Sequence, residues 1–213
     1  MKKLLKKLLQ VILGIPTTIE AISIAKESKL EAYKKFAEEL LLTTDLNLEN
    51  VLVHDLGMFG QAGKTYMNHT TCGGEDEYKI NIPHPDKPYI IVPEIKCWWT
   101  FRAWIHEIGH HTNKHYSYSG VTYIKEYEAE KFTLEQIEKC DAVDWSDNWD
   151  IKFSARCYLY FHILSAVEKG EIETLDDIST KIVEFMSKSK SLKEGLEEDF
   201  NTSRKKYLKE KFA

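Results

Sequence analysis

The sequence predicts an α+β fold, on three observations. Long stretches near both ends carry apolar residues at helical spacing, as in Ile22, Leu30, Tyr33, Phe36, Ala37, Leu40 and Leu41. Between residues 51 and 92, short β-branched and aromatic runs are punctuated by glycine and proline. A further helical period follows at once and holds a cluster of histidine and glutamate. With 213 residues, 43% of them hydrophobic, the chain can bury one substantial core. It divides into residues 1–45, a helical segment packing on the core; residues 46–140, the core; and residues 141–213, a helical C-terminal subdomain.

Residues 1–15 set Leu4, Leu5, Leu8, Leu9, Val11, Ile12 and Ile15 on one side of a helical wheel and Lys2, Lys3, Lys6, Lys7 and Gln10 on the other. The apolar run is short and no small-x-small cleavage site follows, so this is a poor signal peptide. A basic amphipathic helix is expected, docked on its own domain, with peripheral contact to an anionic membrane surface as the alternative. No stretch reads as long enough to span a bilayer.

Pro16 breaks the chain, and Thr17-Thr18-Ile19-Glu20 has capping-box spacing for a second helix reaching about Leu42. Lys26, Lys34, Lys35, Glu38 and Glu39 form its solvated side. Strands are expected at 51–54, 64–67, 78–82 and 89–92, and a helix over 121–140. Residues 141–150, with Trp145 and Trp149 among aspartates, read as a turn region; helices at 151–169, 175–187 and 192–211 complete the chain.

The stretch Trp104-Ile105-His106-Glu107-Ile108-Gly109-His110-His111 contains a His-Glu-x-x-His motif. At about 100° per residue, His106 and His110 stand about 40° apart, one turn above the other, so both imidazoles can grip one divalent ion. Zinc is the expected ion, and Glu107 sits on the rim of the same face, where its carboxylate reaches water without being a ligand. Phe101, Trp104, Ile105, Ile108 and Thr112 fall opposite Ala103, His106, Glu107, His110 and Asn113, so one face should pack and the other line a cleft.

A catalytic zinc site needs a third protein ligand and keeps a fourth position open. On the next helical period, Tyr123, Tyr127, Ala129, Thr133, Leu134, Ile137 and Cys140 mark an inward arc that also contains Glu126 and Glu130. Glu128, Glu135 and Glu138 fall outside it with Lys131 and Lys139. A carboxylate on an apolar face is costly unless it is paired or bound to metal. Glu126 is therefore the expected third ligand, and Glu130, one turn later, the carboxylate that orients a histidine. Tyr123, one turn before Glu126, is the expected oxyanion donor, with Tyr116, Tyr118 and His115 as rivals.

His106-Glu107-Ile108-Gly109-His110, followed by Glu126-Tyr127-Glu128-Ala129-Glu130-Lys131-Phe132, resembles the gluzincin metallopeptidases, most closely the ImmA/IrrE-like group of small bacterial and phage proteases. The likeness runs from about residue 101 to residue 134, with Glu130 where that group carries Asp or Asn. It implies a zincin-like fold, a small sheet over the active-site helix, with Glu126 as metal ligand and an edge strand that pairs with an extended substrate. The strand at 89–92 is a natural candidate for that neighbourhood, while which strand forms the edge is left open by the sequence. The implied activity is zinc-dependent hydrolysis of peptide bonds in a protein or peptide substrate, with regulatory cleavage of an intracellular protein such as a repressor as the form it takes in that group. Glu107 would take the proton of water and pass it to the leaving amine. The alternative is a silent or latent protein of the same fold that serves as a protein-binding module.

A net charge of -5 offers no global electrostatic case for nucleic acid. Cys72, Cys97, Cys140 and Cys157 are widely spaced without a Cys-x-x-Cys pair, which fits reduced thiols and a cytoplasmic location. Position 116, where a metzincin would carry its third histidine, is tyrosine; His115 misses that register and is a poor ligand candidate. His69 with Cys72 lacks two partners for a metal, and His54 and His84 read as strand or turn residues. His111 either lines the cleft or packs.

Overall fold

Tyr89-Ile90-Ile91-Val92-Pro93 is buried at every position, as a continuous apolar run covered on both faces should be. In the computed structural model, which describes residues 18–46, 48–54, 64–66, 89–115 and 121–211, this run is the middle strand of a three-stranded sheet. The strands are β1 (Val51–His54), β2 (Lys64–Tyr66) and β3 (Tyr89–Pro93), in the order β1-β3-β2. β1 runs parallel to β3 with Val51 opposite Ile90; β2 runs antiparallel with Tyr66 opposite Tyr89. β3 is thus the middle strand, paired with β1 over residues 90–93 and with β2 over 89–91, so the strand expected in the neighbourhood of an extended substrate is not an edge strand among the described residues. The strand expected at 78–82 and the helix expected at 1–15 lie outside the described residues.

Six helices among the described residues complete an α+β architecture: α1 (Thr18–Leu41), α2 (Trp98–Thr112), α3 (Thr122–Ile137), α4 (Trp145–Glu168), α5 (Thr180–Ser187) and α6 (Lys190–Lys211). None is long and apolar enough to cross a membrane. α4 starts at Trp145, within the segment expected to be a turn. Asp144 caps it, its carboxylate accepting from the Asp147 N–H at 2.9 Å. Trp145 and Trp149 are 82% and 57% exposed, so these large apolar residues do not follow the buried stripe from which a helix is read. α1 clamps this end: Lys29 Nζ lies 2.7 and 2.6 Å from Asp144 and Asp147, and the Tyr33 hydroxyl donates to Asp147. Residues 175–177 form a 3-10 turn, and α5 begins only at Thr180.

α2 is the axis of the molecule. The Thr100 hydroxyl accepts from the backbone N–H groups of Lys96 and Cys97 at 2.8 and 3.1 Å, and the Trp104 indole donates to the Pro93 carbonyl at 2.7 Å. Helix and β3 are thereby joined at a fixed angle. Every residue from Thr100 to Gly109 is buried, so the expected division into a packed face and a cleft face is not kept. The polar side is covered as well, by α3 and by the Tyr158 turn of α4. One buried cluster runs from Tyr33, Ala37 and Leu41 of α1, through Phe101, Ile105 and Ile108 of α2, to Leu196 and Phe200 of α6.

Gly109 allows α2 and α3 their close approach. A Cβ there would meet Phe132 Cδ1 at 3.0 Å, the Ala129 carbonyl oxygen at 3.1 Å and Ala129 Cα at 3.3 Å, and two of those atoms belong to backbone that cannot swing aside. The Gly109→Ala variant gains about 1 kcal/mol of helix propensity. Overpacking at this contact costs about 1–3 kcal/mol and is expected to win, lowering the urea midpoint. An unchanged or raised midpoint would show that the two helices do not need this contact.

Candidate metal centre

The one-turn spacing on α2 brings His106 Nε2 and His110 Nε2 to 3.0 Å, with the rings at 88° to each other. α3, held close by Gly109, delivers Glu126 Oε2 to 3.1 Å from the first nitrogen and 3.3 Å from the second. The donor atoms of His106, Glu107 and His110 lie within 4.8 Å of one another, and this buried group could hold a metal ion. Behind His106, Nδ1 is 3.1 Å from Glu130 Oε1, an ion-pair distance. The same Glu130 oxygen is paired with Arg102. The Arg102 guanidinium lies over the rings of Trp99 and Tyr158, 5.0 and 5.5 Å from their centroids. Behind His110, Nδ1 is 2.7 Å from His115 Nδ1, and His115 Nε2 is 2.9 Å from Glu128 Oε2.

His106, His110, Glu107, Glu126 and Glu130 therefore converge. Tyr123 does not: it is 6% exposed within the hydrophobic core, and the charges that add to burial in raising its pKa are Asp177 and Glu171, away from the histidines. Tyr158 and His162 of α4 stand at the site instead. The Tyr158 ring is edge-on to His106 with centroids 5.4 Å apart, and His162 lies against Tyr158 at 4.6 Å. His111 packs, its Nε2 bonded to Asp45. Tyr116 and Tyr118 lie outside the described residues. Arg102 is a residue that spacing could have found, since it sits one turn before His106 on the same stripe. Tyr158 and His162 leave no local signal, because only the packing of α4 on α3 brings them here.

No family model, curated protein or solved structure matches the chain. The bearing of the site on function rests on its own chemistry.

Its donor set suits a divalent cation on two counts. Bonds of about 2.0–2.1 Å to a tetrahedral ion place donors about 3.3 Å apart, close to the edges of the His106–His110–Glu126 triangle. With the imidazoles neutral, Arg102 pairs with Glu130, and the Glu126 carboxylate faces two ring nitrogens in a place nearly sealed from water. Three acceptors at such distances need either a cation between them or a proton on one ring.

Burial works against a charged His106, but the field of Glu130, contacts to Glu126 and Glu130, and the charge of Glu107 outweigh it and push the pKa up to about 10. Burial lowers that of His110. Burial alone would raise that of Glu126, yet its contacts with both imidazoles hold it well below the usual carboxylate range. Without an ion the proton therefore belongs to His106, and a metal bound there would have to displace it. Zinc affinity, measured by chelator competition, is expected to rise about tenfold per pH unit from near neutrality toward pH 10 as that proton becomes easier to remove. A flat profile would mean that His106 is already unprotonated in the ion-free state.

Proposed function

We propose that the chain is a zinc-dependent peptidase with a zincin-like core, akin to the ImmA/IrrE-like group, in which His106, His110 and Glu126 hold the ion. The observation that carries this reading is the triangle of acceptors at 3.0–3.3 Å, with the carboxylate of Glu107 in the same buried group. When bound, zinc supplies a Lewis acid for a carbonyl oxygen and lowers the pKa of water.

The chain's own groups supply the rest. Glu107, 2% exposed and following His106 directly in the helix, takes a proton from the attacking water and passes it to the leaving amine nitrogen. Tyr158 takes the role expected of Tyr123. Burial, followed by the charges of Glu126, Glu107 and Glu130, pushes its pKa far up, so the hydroxyl stays protonated and can donate to a developing oxyanion. His162 braces that ring. The His110 and Glu126 side chains keep 11% and 12% exposure, whereas Glu130 is wholly buried, so substrate approaches from the His110 and Glu126 side. A protein or peptide chain is the substrate class that this chemistry fits.

Glu107→Gln is expected to retain zinc and to lose about 100-fold or more of turnover on a mixed peptide library, the range expected when a general base is removed. Equal turnover in the two proteins would remove Glu107 as the base. A wild-type protein that binds zinc but cleaves nothing in the library would overturn the peptidase reading.

A further inference from the structure

We infer that His115 is a positioning residue for His110, held in a single tautomer by Glu128 through a contact built by the turn that ends α2. The inference rests on the reading of His110 as a metal ligand. In that turn the Lys114 N–H donates to the His111 carbonyl at 2.9 Å and the His115 N–H to the His110 carbonyl at 3.1 Å, with Lys114 at φ 55°. This pair of bonds is the Schellman closure, which sets the side chain two residues beyond the cap against the one in the last full turn, usually as an apolar contact. Here the two side chains are imidazoles, with ring centroids 4.9 Å apart. The Asn113 amide donates to the Gly109 carbonyl at 2.9 Å, and Lys125 Nζ to the His115 carbonyl at 3.1 Å, so the turn is held from both sides.

The order of protons follows from what each group can do. An ionised carboxylate only accepts, so the 2.9 Å contact to Glu128 Oε2 requires the proton of His115 on Nε2. His115 Nδ1 then carries a lone pair and accepts across 2.7 Å from His110 Nδ1–H. His110 is left with its lone pair on Nε2, the atom that faces His106 and Glu126. The reversed order would turn a lone pair of His115 toward a carboxylate. A side chain that is 43% exposed, two rings away, thereby sets which nitrogen of His110 can coordinate.

The test uses the full chain with isotope-labelled histidine. Proton–nitrogen correlation NMR of the ion-free protein should find His115 protonated on Nε2 and His110 on Nδ1. Affinity for Zn2+ and Co2+, by chelator competition and by the cobalt absorption band, should fall about 10–100-fold in His115→Phe. His115→Gln, whose amide can accept from His110 and donate to Glu128, should restore most of that loss. A purely structural role for His115 would not predict such rescue. A His115 proton found on Nδ1, unchanged affinity in the Phe variant, or a Gln variant as weak as the Phe variant would each overturn the inference. If the wild type binds neither ion, the metal reading falls on its own, and the NMR assignment still decides the order of protons.

Discussion

The backbone contact between α2 and α3 at Gly109 and Ala129 is the constraint on which the rest of the structure depends. Two helices that approach this closely carry small residues at the point of contact, and longer side chains must pass beside it. His106 lies one turn before Gly109 and His110 follows it; Glu126 lies one turn before Ala129 and Glu130 follows it. These four side chains thus flank the contact on both sides, interleaved from opposite helices. Any widening of the gap separates a carboxylate from both rings at once. Cohesion comes from the far side of α2, where Phe101, Ile105 and Ile108 are fully buried.

Gathering Arg102, Glu107, Glu130 and His106 in the interior carries a desolvation cost that hydrophobic packing does not face. The arrangement offsets it in pairs. Arg102 neutralises Glu130 and is itself covered by the faces of Trp99 and Tyr158. Glu130 in turn keeps a negative oxygen beside His106 Nδ1. Glu126 meets both imidazoles on the side where the Nε2 atoms come together. The core is therefore balanced except where a cation or a proton completes it.

Much of this centre is legible in the order of residues alone. A helical wheel places His106 with His110 and turns Glu126 and Glu130 inward, because a carboxylate amid Ala129, Thr133 and Ile137 has few places to go. The same wheel sets Glu128 outside the arc, which holds for its exposure but not for its role: a residue at the edge can still reach His115 on the adjoining turn. Tyr123 fails for the opposite reason. Its position on the inward arc is correct, but the arc faces apolar core at that level and the two imidazoles one turn later, at Glu126. The start of α4 escapes the pattern because Trp145 and Trp149 are exposed, and apolar periodicity reports burial rather than helicity.

The two histidines are held by unlike means. His106 is backed by a wholly buried carboxylate that an arginine locks in place, deep in the α2–α3 contact. His110 is backed by a second imidazole that depends on a turn. At the end of α4 the equivalent turn places Gly170 at φ 73°, and the Tyr207 ring would exclude any side chain there. At the end of α2 the left-handed position falls to Lys114, a conformation that costs a non-glycine residue about 1–2 kcal/mol. The support of His110 is thus the less stable of the two, and it lies at the side where the centre is open. The buried support thus stands behind His106, whose side chain is 6% exposed, and the turn-held support behind His110, at 11%.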